Sequence, residues 1–279
     1  MIVTESLHHW RDYVTEQRRL RRTLGLVPTM GALHAGHVSL IERAASECDE
    51  VIVTIFVNAR QFNDPRDLEA YPRTLEADLA LCMAAGASIV VTPSSEEMWP
   101  HGVTTTVNVA GISESLEGAG RPGHFDGVAS VVTKLFAISG PAKAYFGEKD
   151  FQQVAVVRRL NDDLGLGMDI VACPVIRDHD GLALSSRNVR LSDEGRTRAL
   201  AISRALFSAA ARPAPSTVLI DEARHTLSEA GCDIAYVAIV DPLTFEPTVQ
   251  SGPARLLIAA IVEGVRLIDN ASVELVEEK

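Results

Sequence analysis

The stretch LGLVPTMGALHAGH, residues 24–37, holds the strand, turn and helix start from which the fold can be argued. Residues 24–28 are apolar at consecutive positions, which is typical of a strand buried on both faces of a parallel sheet. Two glycines, Gly31 and Gly36, lie in the turn that follows, and a helical pattern begins at once behind them. The stretch therefore predicts one strand–turn–helix unit of an α/β sheet.

The same alternation continues over roughly the first 180 residues. Apolar runs at residues 51–58 and 87–93 predict two further buried strands, with helical repeats between and after the predicted strands. These repeats are Ile41, Ala44, Ala45 and Cys48; Leu75, Leu79, Cys82 and Met83; and Val128, Val131, Val132, Leu135 and Phe136. Strands and helices in alternation predict a doubly wound parallel sheet of the α/β class.

The pattern changes after residue 177. Two helical stretches come first and three β-rich segments follow, at residues 193–211, 216–230, 234–240, 255–262 and 265–269. Helices followed by strands predict a smaller α+β domain with an antiparallel sheet. We expect one domain over residues 1–176 and a second over 177–279, with Arg212-Pro213-Ala214-Pro215 as a turn between two helices.

The composition is that of a folded, acidic protein. Its 279 residues include 26 Lys and Arg against 37 Asp and Glu, for a formal net charge of −11 and a pI near 5.2. Such a chain is a poor general binder of nucleic acid or of anionic membranes. An anionic substrate must therefore be held by a local group of hydrogen-bond donors.

Neither membrane insertion nor secretion is expected. The longest apolar runs, 51–57 and 256–262, are far shorter than the roughly 20 residues that span a bilayer. The N-terminus MIVTESLHHW has no apolar signal core, and the cysteines at 48, 82, 173 and 232 lack a metal-binding spacing. We expect free, buried thiols and a soluble protein of the cytoplasm.

The turn behind the first strand predicts an anion-binding site. Free backbone N–H groups and the helix dipole favour negative charge there. His34 and His37 are three residues apart, so they share one face of the first helical turn and can donate hydrogen bonds to phosphate oxygens. Two surface histidines in a capping turn are the alternative. The G-x-x-x-x-G-K-[ST] motif of a P-loop is absent, and no G-x-G-x-x-G follows the strand.

Polar residues also follow the second predicted strand. Asn58 and Gln61 lie at the carboxyl edge of the sheet, where open α/β sheets bind ligands. Gln61 offers both a donor and an acceptor for hydroxyl and carboxylate groups, although a polar surface loop would look the same. Asp78, on the next helix, could hold Mg²⁺ directly or through water, or could be a solvated carboxylate.

Three later segments carry further candidates. Five glycines between positions 111 and 127 allow the backbone around His124 to adopt several conformations. A lid over a site or a mobile surface loop would require this freedom. Lys149 follows another strand–Gly–helix junction and is a point charge suited to phosphate, with Gln153 one turn further on. The Ser-Ser-Arg at 185–187 offers two hydroxyls and a guanidinium to an oxyanion.

Together these segments resemble the pantoate–β-alanine ligase family. The matching stretches occur in family order: PTMGALHAGH (28–37), VNARQF (57–62), YPRT (71–74) with Asp78, GRPGHFDGV (120–128), YFGEKDFQQ (145–153) and RDHDGLALSSRN (177–188). GVRLIDN (264–270) is similar to the family's last strand. Ala59 replaces a proline usual in the family, Ala35 a frequent Glu, and Leu184 a usual Met.

The resemblance implies a nucleotidyltransferase-type, Rossmann-like domain with a HIGH-like element at 34–37 and a KMSKS-like element at 185–187. It implies ATP and Mg²⁺, with (R)-pantoate and β-alanine as substrates and pantothenate, AMP and diphosphate as products of a route through pantoyl adenylate. It also implies a homodimer. The catalytic residues carried over are His34, His37, Lys149 and Arg187.

The resemblance also assigns binding residues. Nucleotide contacts fall on Pro28, Thr29, Met30, Gly31, His34, Gly36, His37, Gly147, Glu148, Lys149, Asp150, Ile176, Leu184, Ser185, Ser186 and Arg187. Substrate contacts fall on Met30, Asn58, Gln61, His124 and Gln153. The metal ligand is Asp78.

Two other functions remain open from the residues alone. One is a nucleotidyltransferase that adenylylates a phosphorylated acceptor, which would need a basic acceptor pocket where this chain has neutral glutamines. The other is an RNA-binding relative of class I synthetases or a nucleotide sensor without catalysis. The acidic composition disfavours RNA, and Lys149 with the two histidines disfavours a sensor.

Overall fold

The computed structural model describes residues 1–278, which form two compact units. The first contains Met1–Glu148 and Val156–Pro174, and the second contains Lys149–Ala155 and residues 175–278. The second unit thus includes a short segment, Lys149–Ala155, that precedes the last part of the first unit in sequence. Each unit has its own sheet.

The sheet of the first unit is parallel throughout its described strands. These strands are β1 (Ile2–Thr4), β2 (Leu24–Thr29), β3 (Glu50–Ile55), β4 (Ile89–Val91), β5 (Lys143–Gly147) and β6 (Asp169–Cys173). Their order in the sheet is β1-β4-β3-β2-β5-β6. The predicted doubly wound, Rossmann-like fold is confirmed.

Helices connect these strands. They are α1 (Leu7–Arg19), α2 (Ala35–Glu47), α3 (Pro65–Glu69), α4 (Leu75–Ala84), α5 (Ser95–Met98), α6 (Glu117–Gly120), α7 (His124–Ser139) and α8 (Phe151–Leu164). Part of the core lies between α2, α4 and the sheet, where Ile41 and Cys82 pack against Val27, Val53 and Val90. Leu26, Ile52 and Ile89, whose side chains point to the opposite face, are fully buried as well. Burial on both faces explains why the strands read as apolar runs.

Two strands are shorter than the sequence predicts. The run 51–58 forms a strand only to Ile55, because the chain turns at Asn58 into a 3-10 turn over Ala59–Gln61. The run 87–93 is a strand only over Ile89–Val91. Single backbone hydrogen bonds still follow each strand, from Phe56 N to Thr29 O and from Thr92 N to Thr4 O, but regular strand geometry ends before them.

The second unit packs two helices on an antiparallel sheet, as predicted. The helices are α9 (Asp193–Ala210) and α10 (Ser216–Glu229), joined by the turn predicted at Arg212–Pro215, and the strands are β7 (Asp233–Val240), β8 (Gly252–Val262) and β9 (Val265–Leu275). The order is β7-β8-β9. Leu206, Leu219 and Ile258 are fully buried in its core.

Strand β9 is six residues longer than predicted, ending at Leu275 and not at Asp269. Glu263 and Gly264 both have positive φ in the tight turn from β8, and pairing runs unbroken from Val262–Val265 to Gly252–Leu275. The polar residues Asp269, Asn270, Ser272 and Glu274 interrupt the apolar pattern, so hydrophobicity alone ends the strand too early.

The cysteines are free, as expected. Cys82, Cys173 and Cys232 are buried, whereas Cys48 is only half-buried at the end of α2. Within residues 1–278, no helix combines the length and the apolar character that a bilayer crossing requires.

Candidate active site

The strand order of the first unit places candidate residues at one point of its sheet. Strand β2 lies between β3 and β5, so the order along the sheet reverses beside β2. Ligands of open α/β sheets bind at the carboxyl ends of strands at such a reversal. Thr29 ends β2, Gly147 ends β5, and Thr29 pairs with Ile55 at the end of β3.

The segment after β2, residues 30–37, is here called the histidine turn. Gly31 and Ala32 have φ of 81° and 51°, which lets the chain reverse before α2. A Cβ at Gly31 would lie 3.0 Å from Asp78 Oδ2 and 3.2 Å from Ile55, so a larger residue does not fit here. The turn is therefore both left-handed in backbone and tightly packed.

Asp78 holds this turn in place. Its Oδ2 accepts a hydrogen bond from Ala32 N at 2.9 Å, and its Oδ1 accepts from Leu33 N at 2.8 Å and from Thr74 Oγ1 at 3.1 Å. The side chain is only 2% exposed. Both oxygens thus serve as acceptors for the protein itself, which does not fit a carboxylate that coordinates Mg²⁺ directly.

The two histidines cap α2 with their rings. His34 Nδ1 accepts from Gly36 N at 3.1 Å, and His37 Nδ1 accepts from His34 N at 3.3 Å. A backbone N–H can only donate, so each Nδ1 is unprotonated and a neutral ring carries its proton on Nε2. The ring centroids are 4.2 Å apart. Both rings therefore cap the start of α2, and a hydrogen bond that a neutral ring donates must leave from its Nε2. Phosphate binding by the histidine turn stays a prediction.

The segment after β3, residues 58–62, is here called the Gln61 turn. Asn58 is 1% exposed, and its Nδ2 donates to Gln61 Oε1 and to Gly127 O, both at 3.1 Å. The carbonyl of Gly127 accepts only, so the orientation of the Asn58 amide is determined. Asn58 Oδ1 is buried without a hydrogen-bond partner among the described residues. A ligand hydroxyl could satisfy this acceptor.

Helix α7 supports the Gln61 turn from its N-terminal end. A Cβ at Gly127 would lie 2.5 Å from Arg60 O and 2.6 Å from Gln61 N, so only glycine allows this approach. His124 Nδ1 lies 2.8 Å from Gln61 O, and Arg121 Nη1 lies 3.0 Å from His124 Nε2. Since the carbonyl only accepts and the guanidinium only donates, His124 carries its proton on Nδ1 in this network.

The glycine-rich stretch predicted as a gate is partly packed. It contains α6, in which Glu117 and Gly118 are buried. A Cβ at Gly118 would overlap Ser113 O, whereas one at Gly111 or Gly123 would meet nothing within 4 Å. Arg121 also lies 3.8 Å from Glu117. Mobility of this stretch stays a prediction.

In the second unit, Lys149 lies in a 3-10 turn that leads into α8. The turn spans Glu148–Asp150, and Lys149 Nζ is 4.0 Å from Asp150 Oδ1. Gln153 is half-buried one turn along α8, beside the buried Gln152. The strand–glycine–helix junction predicted here is present, with Gly147 ending β5.

The Ser-Ser-Arg segment follows a narrow hairpin, residues 176–184, here called the Arg177 hairpin. Leu184 N donates to Ile176 O at 3.0 Å, and Asp178 N donates to Leu182 O at 2.8 Å. Ser185 Oγ accepts from Arg187 N at 3.2 Å. Ile176 and Leu184, both predicted nucleotide contacts, are therefore paired at the open end of the hairpin.

Charged residues outside the predicted set fix this hairpin. Arg196 donates to Asp178 at 2.7 Å and to Asp180 at 2.8 Å. Hydrogen bonds from His179 and then from Arg196 hold the pKa of Asp178 down at about 2. Arg196 was outside the predicted set because it lies 16 and 18 residues from its two partners, and no spacing pattern links them. No group of three His, Cys, Asp or Glu suited to a metal occurs within residues 1–278.

Known proteins are similar to this chain over nearly its whole length. The sequence model of the family described as pantoate-beta-alanine ligase matches residues 2–272. A pantothenate synthetase of Paracoccus denitrificans is 48% identical over 277 residues, 98% of either chain.

Two solved structures extend the comparison to the fold. The pantothenate synthetase of Thermus thermophilus has a TM-score of 0.91 at 42% identity, covering 97% of this chain and 99% of its own. The ligase of Francisella tularensis, complexed with beta-gamma ATP and beta-alanine, has a TM-score of 0.82 at 34% identity and covers 97% of each chain.

Proposed function

The chain belongs to the pantoate–β-alanine ligase family, and we propose that it makes its amide bond in two steps through a pantoyl adenylate. The activity is the condensation of pantoate with β-alanine using ATP. The observation that carries the two-step proposal is the pairing of two adjacent strand ends. One presents two imidazole Nε2–H donors for phosphate, and the other presents the neutral amides of Asn58 and Gln61 for a hydroxy acid.

The chemistry requires activation because a carboxylate does not react with an amine at neutral pH. In the first step a carboxylate oxygen of pantoate attacks the α-phosphorus of ATP, and the bond to the leaving diphosphate breaks. In the second step the amine of β-alanine attacks the acyl carbon, AMP leaves with the bonding electron pair, and the amine loses a proton. Holding the reacting groups in the correct orientation can by itself lower the activation free energy of such reactions by about 7–11 kcal/mol.

The phosphate roles follow from the donor chemistry of each unit. In the first unit, His34 and His37 donate through Nε2–H to oxygens that gain charge in the transition state. In the second unit, Lys149 and the Ser-Ser-Arg at 185–187 supply positive charge and hydroxyl donors. The remaining nucleotide contacts implied by the resemblance, from Pro28–Gly31 and Gly147–Asp150 to Ile176 and Leu184, shape the backbone around these donors.

Pantoate is assigned to the Gln61 turn. Its carboxylate and two hydroxyls need donors and acceptors together, and Asn58 and Gln61 supply both. The buried Oδ1 of Asn58 suits a hydroxyl donor. His124 supports the turn from behind through Gln61 O. Gln153 and Met30 complete the proposed substrate contacts.

Magnesium is expected to accompany the triphosphate and to neutralise part of its charge when bound. Asp78 does not fit as its direct ligand, because both oxygens of the buried carboxylate accept hydrogen bonds from the protein. The residue roles above do not depend on such a ligand. The homodimer stays a proposal that rests on the resemblance, and the cytoplasmic location stays the expectation stated from the sequence.

The decisive experiment is exchange of labelled diphosphate into ATP. We expect exchange that depends on pantoate and proceeds without β-alanine, because the first step alone is reversible. A phosphorylated acceptor in place of pantoate serves as the control for the rival nucleotidyltransferase. Exchange that appears only when β-alanine is present would overturn the adenylate route.

A further inference from the structure

Two adjacent polar residues of strand β9 are buried. Asp269 and Asn270 are 4% and 2% exposed, respectively. Side chains alternate along a strand, so the two point to opposite faces of the antiparallel sheet. Asp269 shares its face with Leu267 and Val273, which belong to the core of the second unit. Buried polar groups at such positions need partners.

Asp269 is paired with Arg177, 92 residues earlier. Arg177 donates from Nη1 to Oδ2 at 2.6 Å and from Nη2 to Oδ1 at 3.1 Å, which makes a bidentate salt bridge. The same guanidinium donates to Gly181 O at 3.2 Å and lies 4.9 Å from the ring centre of Phe207. Strand β9 thus holds Arg177, and the same guanidinium bonds Gly181 O across the turn of the Arg177 hairpin.

Asn270 reaches a different segment on the other face. Its Oδ1 accepts from Arg255 Nε at 2.6 Å, which settles the amide orientation because a guanidinium only donates. Its Nδ2 then donates to Lys149 O at 3.0 Å. Arg255 is itself held over the ring of Phe151 at 4.5 Å. The carbonyl that Asn270 holds therefore belongs to the residue assigned to the phosphates.

The geometry points to Asp269 and Asn270 as positioning residues of the ATP site. Asp269 acts through Arg177 on the hairpin that leads to the Ser-Ser-Arg at 185–187, and Asn270 acts through the backbone of Lys149. This inference rests on the proposed function for the role of Lys149 and of residues 185–187. The inference adds that strand β9 sets the backbone position of both Lys149 and residues 185–187. Substitutions at Asp269 or Asn270 should therefore impair ATP binding and adenylate formation while leaving pantoate binding intact.

Asn270→Asp tests the hydrogen bond from the Asn270 amide to Lys149 O, because it replaces only the NH₂ group by an oxygen. The acceptor for Arg255 is kept, but the donor to Lys149 O becomes an acceptor, and two acceptors repel. We expect about a tenfold weaker binding of a non-hydrolysable ATP analogue by calorimetry, as the loss of one buried hydrogen bond predicts. We expect a slower single-turnover formation of pantoyl adenylate and an unchanged KM for pantoate.

Ser272→Ala is the matched control. Ser272 lies on the same face of β9 and accepts from the same Arg255 at 2.9 Å, but it does not contact Lys149. We expect wild-type ATP-analogue affinity in this variant. An equal loss in Ser272→Ala and Asn270→Asp would show that the strand acts only through general stability, and would overturn the inference.

Arg177→Lys tests the other arm. The lysine keeps the positive charge beside Asp269 but cannot form the bidentate salt bridge. Folding should therefore be preserved better than in a variant that leaves the buried carboxylate unpaired. We expect a raised KM for ATP with an unchanged KM for pantoate. An unchanged KM for ATP, or equal changes in the KM values for ATP and pantoate, would overturn the role assigned to Asp269. Because analogue binding needs no pantoate, it tests the inference even if pantoate-dependent exchange were to fail.

Discussion

Among single residues, Asp78 decides the course of the histidine turn. Its two oxygens accept from the N–H groups of Ala32 and Leu33 in a buried position. Asp78→Asn turns an NH₂ group toward one of these donors, and an unpaired buried donor costs about 1–3 kcal/mol. We expect a loss of unfolding free energy of that size in chemical denaturation and slower adenylate formation in single-turnover kinetics.

Glu76→Gln is the control for this prediction. Glu76 lies exposed in the same first turn of α4, so its substitution should change neither stability nor rate. Excess Mg²⁺ should not restore the rate of Asp78→Asn. Recovery at high Mg²⁺ with wild-type stability would instead identify Asp78 as a metal ligand.

Among the secondary-structure elements, helix α7 and the Gln61 turn form one support for the proposed pantoate site. Gly127→Ala would place a methyl group against the backbone at Arg60 and Gln61, which cannot move as a side chain end can. Overpacking of this kind costs about 1–3 kcal/mol. We expect a lower melting temperature and a higher KM for pantoate, with ATP-analogue affinity near that of the wild type.

A second substitution in the same helix separates stability from site geometry. Ala137 is exposed on α7, away from its N-terminal end, and Ala137→Gly should cost about 0.5–1 kcal/mol through helix propensity alone. Its KM for pantoate should stay at the wild-type value. A raised KM in both variants would mean that α7 affects pantoate only through overall stability.

For the protein as a whole, acid stability depends on carboxylates held by cations in each unit. Hydrogen bonds from Arg43, then Lys143 and Tyr145, lower the pKa of Glu47 from 4.5 to about 2. A carboxyl with a depressed pKa stabilises the fold above its unfolded pKa, and this contribution disappears as the pH falls toward the folded value. We expect the melting temperature to fall between about pH 4.5 and about pH 2.

Glu47→Gln should make the fall of the melting temperature with decreasing pH less steep, because this variant lacks the titrating carboxyl group. Glu42→Gln, at an exposed position of the same helix α2, is the comparison and should leave the slope as in the wild type. An identical acid limb in the wild type and in Glu47→Gln, followed by calorimetry, would contradict the contribution assigned to Glu47.

Much of the architecture was predictable because it is local. Buried parallel strands show as apolar runs and helices as a period near 3.6 residues, so the α/β sheet and the later helices and antiparallel strands could be inferred before the structure. The positions of strand ends were less predictable. Residues 56–58 continue the predicted strand without a break in its pattern, and β9 contains the buried pair Asp269–Asn270, so hydrophobicity did not mark where pairing stops.

The alternation of strands and helices and the glycine-containing turn at Gly31 follow from the amino-acid sequence alone. The two histidines were expected on one helical face, but His34 is the extended N-cap of α2 and only His37 lies in its first turn. Which polar groups meet became visible only in the folded chain. Asp78 contacts residues 45 and 46 positions away, Asp269 pairs across 92 positions, and Asn270 reaches Lys149 across 121. Backbone geometry imposes a period on neighbouring residues, whereas a buried hydrogen bond between distant segments imposes none, so its two partners carry no shared signal in sequence.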